Sequence, residues 1–184
     1  MASLQDRIVG AMRLQVSTFE EVEHDATATS QAAMVVALVG VASAIASIRW
    51  IGITGFVGGV VSQLVGWLIA SGILLLVGTR LFPGRNTQAD YGQMLRTLGF
   101  AQAPGLFNVL AFIPILGWLV RLVVWIWMLV AMVIAVRQAL DYEDTLRAVI
   151  VVLVAWIVMV VVTVIFGMMF GLFGLGAGMM GGML

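Results

Sequence analysis

Cysteine and lysine are absent from this chain, histidine occurs once and proline three times. Without cysteine there is no disulfide, no thiol nucleophile and no thiolate metal ligand. A zinc or iron site would then rest on His24 and carboxylates, and the carboxylates sit outside the apolar runs. Charged residues make up 10% of the chain, whereas soluble domains carry about 25%. That is too few to solvate a globular surface. All nine cations are arginine, matched by nine carboxylates, and they form no basic stripe of the kind that binds nucleic acid. No nucleic-acid partner, metal or cofactor is expected.

What the chain has is hydrocarbon. It is 62% hydrophobic with a mean hydropathy of +1.14, enough for several bilayer spans of roughly 20 residues each. Met1–Glu23 carries charges of both signs and lacks the short apolar run of a cleavable signal, so membrane insertion is expected to be driven by the first span. Leu4–Val22 reads as one amphipathic helix, with Leu4, Ile8, Ala11, Met12, Phe19 and Val22 at helical spacing. Such a helix either lies in the headgroup plane or docks on the protein's own cytoplasmic face; its carboxylates favour docking. Asp25, Thr27 and Thr29 then offer cap oxygens for the next helix.

Five apolar runs follow, all but the fourth free of charge. Ala26–Ile48 closes at Arg49 and Trp50, and Trp50–Thr79 holds a second span. A polar stretch from Arg80 to Arg96 turns at Pro83-Gly84. Thr97–Val120 is interrupted by Pro104 and Pro114, Leu116–Val136 is the fourth run, and Ala148–Phe166 the fifth. The third is the ambiguous one, because the segment between its prolines is too short to cross a core about 30 Å thick. Cytoplasmic loops are enriched in arginine. With five spans, Arg7, Arg13, Arg80, Arg85, Arg96, Arg137 and Arg147 share one side and Arg49 and Arg121 the other; a re-entrant third segment would weaken that bias. The expectation is an all-α, polytopic transmembrane bundle of five helices with an N-terminal amphipathic helix. Residues 1–24 form the interfacial part and 25–184 the transmembrane domain, with the third helix bent at Pro104, the amino terminus cytoplasmic and the carboxyl terminus outside.

Helices in lipid associate through close packing and polar contacts. Gly58, Ser62, Gly66 and Ala70 repeat every four residues along the second span, and Gly55 and Gly59 add a further GxxxG step. Gly40 and Ala44 start a similar row in the first span. These rows predict tight packing of the first two spans, with a subunit interface as the other reading. Gly167, Gly171, Gly174 and Gly178 repeat the pattern in the tail. The tail methionines suggest copper(I), but no histidine or cysteine accompanies them, and methionine is an ordinary packing filler.

Ionisable groups at bilayer depth are usually functional, and the spans have almost none. Arg121 is close enough to the end of its run to snorkel. Gln63, Gln102 and Asn108 are neutral amides within apolar runs; they either hydrogen-bond between helices or line a solute path. His24-Asp25 has no activated serine motif beside it, and no enzyme is expected. Arg137, Asp141, Glu143, Asp144 and Arg147 have the spacing of helix-end ion pairs and present a possible surface for another protein.

Three segments carry a resemblance: Leu95-Arg96-Thr97-Leu98-Gly99-Phe100-Ala101-Gln102-Ala103-Pro104-Gly105, then Ile113-Pro114-Ile115-Leu116-Gly117, and Trp127 leading into Ala135-Val136-Arg137-Gln138-Ala139-Leu140-Asp141-Tyr142. With the Asp25–Ala32 entrance to the first span, they resemble the Yip1 family of five-span membrane proteins, in its prokaryotic branch. What the resemblance implies is limited, because its bacterial members have no agreed activity. Eukaryotic relatives are associated with vesicle budding and prenylated Rab GTPases, but the Asp-Leu-Tyr-Gly-Pro motif is missing before the first span, and Asp90-Tyr91-Gly92 only echoes it in another loop. Rab binding is therefore not carried over. The role implied is a membrane scaffold or accessory subunit in contact with the lipid bilayer, with a membrane-protein partner or a homo-oligomer. Small-solute or ion permeation is the alternative.

Overall fold

A computed structural model describes residues 2–85, 87–113 and 116–181, and the side chains of 2–48, 52–85, 87–113 and 116–168. Among them every regular element is helical. The order is α1 (Leu4–Met12), α2 (Val16–His24), α3 (Ala28–Ile48), α4 (Gly52–Leu81), α5 (Tyr91–Ala101), a 3-10 helix (Ala103–Phe112), α6 (Gly117–Ala139) and α7 (Thr145–Gly181).

The amphipathic stretch at the amino terminus folds as two helices and not one. Ser3 caps α1, its hydroxyl accepting from the Asp6 N–H while the Asp6 side chain returns to the Ser3 backbone. The chain then breaks at Leu14, whose φ is +59°. The two helices cross so closely that a Cβ on Gly10 would collide with the Thr18 hydroxyl. Phe19 and Val22 are fully buried, so the hairpin packs into the bundle. Just before α3, Asp25 closes a turn: one carboxylate oxygen accepts from the Thr27 N–H at 2.9 Å and from its hydroxyl at 2.6 Å.

Helices α3 and α4 form a hairpin that turns at Gly52, where φ +60° and ψ −170° suit only glycine. The end of α4, Val77–Leu81, widens into a π-turn. Helices α3, α4, α6 and residues 145–168 of α7 are long and apolar enough to cross a membrane.

The third apolar run does not make a fifth helix of that kind. Its first part belongs to α5, which starts inside the expected polar stretch under an Asp90–Gln93 capping box. Pro104 has no N–H to continue an α-helix, and from Ala103 the backbone tightens to a 3-10 helix of 10 residues, although such runs seldom exceed about four. The predicted bend at Pro104 is thus a change of helix type. Pro114 lies outside the described residues. The expected bundle of five helices becomes four long helices and one composite segment.

That composite segment fills the centre of the bundle. It follows α3 in step: Gly99 packs on Ala32, Gly105 on Val39, and Asn108 reaches Ser43. Fully buried Met94, Phe100 and Ala103 join Val35, Val36 and Ala135 in one core. At standard rises α5 and the 3-10 helix are together about 36 Å long. The hairpin, the end of α4 and the connectors before α5 and α7 gather at one end of the bundle, called here the polar end.

Candidate functional site

The polar end is built around two buried arginines. Arg7 of α1 is 2% exposed and makes ion pairs with Asp25 at 2.5 Å and Glu21 at 2.9 Å, and its guanidinium also donates to the Gln31 side-chain oxygen at 2.9 Å. Burial pulls the Arg7 pKa down, but the bonds and charges of Asp25 and Glu21 outweigh it, leaving a net rise. Thr27 first, and Arg7 second, hold the Asp25 carboxyl down at about 2. Arg96 of α5, 8% exposed, donates to the backbone carbonyls of Val22 and Glu23 at 3.0 and 2.5 Å. These two side chains tie the hairpin to α3 and α5.

Among the described residues Glu23 has no salt bridge, although it is 3% exposed; its carboxylate accepts from the Gln93 amide at 3.3 Å. Burial raises its pKa to about 7, Asp141 adds to the rise, and His24 and Arg96 only partly offset it. His24 itself faces the Glu20 carbonyl at 2.9 Å, not Asp25, and that contact leads a rise in its pKa.

The connector between α6 and α7 clamps the end of α4. Tyr142 donates to the carbonyls of Gly78 and Phe82 at 3.0 and 2.7 Å, oxygens that the π-turn leaves without regular helical donors. Leu140 fills the space a Cβ on Gly78 would need. The expected ion pairs of this connector do not form among the described residues. Arg137 donates to the carbonyls of Tyr142 and Glu143, and Arg147 to that of Pro83. The carbonyls of the chain's sharp turn outcompete flexible, hydrated carboxylates. Asp141, at φ +50°, supplies the left-handed residue of that turn, a conformation Asp tolerates. Asp141, Glu143, Asp144, Arg85 and Arg147 face a polar cavity of about 100 Å³.

Deeper in, the amides pair off. Gln63 donates to the Gln102 oxygen at 2.6 Å, joining α4 to the end of α5, and Asn108 donates to the Ser43 hydroxyl at 3.2 Å. None of the described cavities is lined by these four residues. Arg121 is exposed near the opposite end of α6.

The small-residue rows divide. Gly40 is in the α3–α4 contact, where an added Cβ would lie 3.2 Å from the Val60 backbone, and buried Ala44 faces Gly59. Gly55 is half-buried. The stronger ridge is not covered by the first span. Gly58 and Gly66 have nothing within 4 Å of a Cβ, Ser62 is exposed, and only Ala70 turns inward, onto a cavity. The difference arises at Gly52: the turn rotates α4 so that Gly59 and Gln63, one residue on from the ridge, meet α3. Gly167 is likewise open, and the surroundings of Gly171, Gly174 and Gly178 fall outside what the structure describes.

The residues carrying the family resemblance converge on structural contacts. Phe100, Ala101, Pro104 and Gly105 are buried with Gly99 against α3, and Gln138 accepts from the Asp141 N–H through its backbone carbonyl. Four side chains with long-range bonds gave no sequence signal of a partner: Arg7, Trp67 (to the Leu95 carbonyl), Trp127 (to the Met12 carbonyl) and Tyr142. The Asp90-x-x-Gln93 box, by contrast, is a readable helix start.

The family model described as the Yip1 domain matches residues 16–166. No curated protein and no solved structure matches the chain.

Proposed function

The chain belongs to the Yip1 family, and from that premise we propose that it is a non-enzymatic integral membrane scaffold or accessory subunit. The observation that carries this reading is the fate of its polar groups. Gln63, Gln102, Asn108 and Arg96 are engaged in contacts between helices, and Arg7 spends both terminal nitrogens of its guanidinium there. Polar atoms spent on holding helices together are not free to bind a substrate. Affinity purification from native membrane should recover a stoichiometric membrane partner or a defined homo-oligomer. A monodisperse monomer with no partner would overturn the scaffold.

We further propose five crossings, the composite segment being the third. Its ~36 Å length and its step-for-step run beside α3 support this. The amino terminus is then cytoplasmic and the carboxyl terminus outside, in the cell membrane, because Arg7, Arg80, Arg96, Arg137 and Arg147 share the polar end. Single cysteines at Ser3, Glu143 and Phe112 test it in a background with none. Only Phe112→Cys should react from outside; Glu143→Cys reacting from outside while Phe112→Cys does not would remove the fifth crossing.

The permeation alternative uses the same amides as a path. Liposome flux unchanged by Gln63→Leu and Asn108→Leu would dispose of it.

A further inference from the structure

Helices α4, α6 and α7 do not close on one another completely. Between them lies a partly open cavity of about 220 Å³, lined by Ala70, Leu74, Met128, Met132, Ala155 and Met159. All of these belong to helices long and apolar enough to span, well inside their ends. Its walls carry almost no polar atoms, so water has nothing to bond there; an apolar cavity of ~150 Å³ stays dry and takes up benzene. A second helix is about 10 Å across and does not fit. What fits is a hydrocarbon chain.

The rim points to the same occupant. Trp125 and Trp156 edge the cavity and are 56% and 60% exposed. Indole rings favour the membrane–water interface, yet Trp125 is ~12 Å from the start of α6 and Trp156 ~17 Å from the start of α7. Their exposed faces therefore meet hydrocarbon. Three methionines, flexible and polarizable, give walls that adapt to a chain with many rotamers.

We propose that this cavity is a binding site for one acyl tail of a membrane phospholipid, which enters sideways from the bilayer between Trp125 and Trp156. The site is continuous with the lipid-facing surface of the spans, and it is independent of whether the protein is a scaffold. It turns a loose three-helix junction into a filled one, with the lipid as its missing side chain.

The test reconstitutes the full chain in bilayers doped with a phospholipid carrying a diazirine at mid-acyl chain, and maps the crosslinks by mass spectrometry. Crosslinks should concentrate on Met128, Met132 and Met159, above the level at the outward-facing Leu122, Ile126 and Leu153. Ala70→Leu, which fills the cavity from its edge, should lower cavity labelling about tenfold and leave outward labelling unchanged. If Ala70→Leu also alters the outward pattern, it has disturbed the fold, and Met132→Phe reads the same cavity from another wall. Labelling confined to outward residues, or cavity labelling indifferent to both substitutions, overturns the proposal. So does a crosslink between two copies through the cavity, which would make its occupant a side chain of a second protein.

Discussion

The guanidinium of Arg96 closes on the backbone carbonyl of Glu23, 73 residues away in sequence, at 2.5 Å. It binds the neighbouring Val22 carbonyl as well, so a helix that opens the composite segment holds down the last turn of the amino-terminal hairpin. Arg96→Ala leaves both carbonyls buried and unpaired, a loss of about 2–4 kcal/mol. Arg96→Lys should recover little, because an ammonium cannot reproduce the planar fork. Thermal unfolding in detergent checks the stability, and trypsin cleavage after Arg13 should quicken in both variants. A hairpin that remains resistant in Arg96→Ala would show that burial of Phe19 and Val22, with the bonds of Arg7 and Trp127, holds it without Arg96.

Arg7 sits in the same hairpin but with ionic partners. Arg7→Met removes the cation that pairs with both Asp25 and Glu21, and taking one partner from an ion pair leaves the others uncompensated, so the variant should melt below the parent. The double substitution Arg7→Met with Asp25→Asn should be less damaging than the single one, since it leaves only the exposed Glu21 carboxylate, which water can solvate, without its cation. The comparison of melting temperatures decides it; additive losses would mean that the pair is not coupled.

Two glycines separate close packing from coincidence. At Gly99 an added Cβ would lie 2.6 Å from that of Ala32, with the α3 backbone just behind. Gly99→Ala must push α5 from α3, at about 1–3 kcal/mol. Gly58→Ala meets open space and should stay within about 0.5 kcal/mol of the parent in detergent. Equal effects from the two would contradict the arrangement of α3, α4 and α5.

That contrast also shows what the sequence could convey. Hydropathy located α3, α4, α6 and α7 because a span's burial in lipid needs only length and apolarity, both written locally. The four-residue glycine rhythm in α4 was legible too, but not its direction. Which face of α4 meets α3 depends on the rotation imposed at Gly52, and the contact fell on Gly59 and Gln63 instead of Gly58 and Gly66. The amides Gln63, Gln102 and Asn108 stood out as buried polar groups, yet their partners are 39 and 65 residues away. The hairpin break at Leu14 had no Gly or Pro to announce it. Arg7 and Arg96 looked like ordinary cations of the cytoplasmic side, because an arginine that binds protein oxygens has the same sequence as one that binds water.

Gln63 and Gln102 offer a cycle inside the bundle. Either residue replaced by Leu leaves the other's amide short of a partner, and intramembrane hydrogen bonds average about 0.6 kcal/mol, with a maximum near 1.7. Their 2.6 Å contact should place the coupling energy toward the upper part of that range. A coupling of zero from unfolding of the two singles and the double would dissolve the pair.

The buried Glu23 makes docking of the hairpin sensitive to pH. Its pKa rises from 4.5 to about 7 when docked, so the docked state prefers the protonated carboxyl. A raised pKa gives stability that is complete below about 4.5, is lost as pH climbs through 7, and stays lost above. The groups facing it are Glu20 and His24 on α2, Arg96 and Gln93 on α5, and Asp141 on the connector. His24, also raised, works in the same direction: its contribution is present below 6.5 and fades with rising pH. Asp25, lowered to about 2, opposes both only below its ordinary value of 3.8. From pH 5 to 8 the melting temperature should therefore fall, by the equivalent of about 2–3 kcal/mol for Glu23. Glu23→Gln keeps the shape and loses the proton equilibrium. Its melting curve should match the parent at pH 5 and exceed it at pH 8, with a residual slope from His24. A parent whose stability rises over that interval would mean that Glu23 is ionised and paired in the docked state, against its burial beside Asp141.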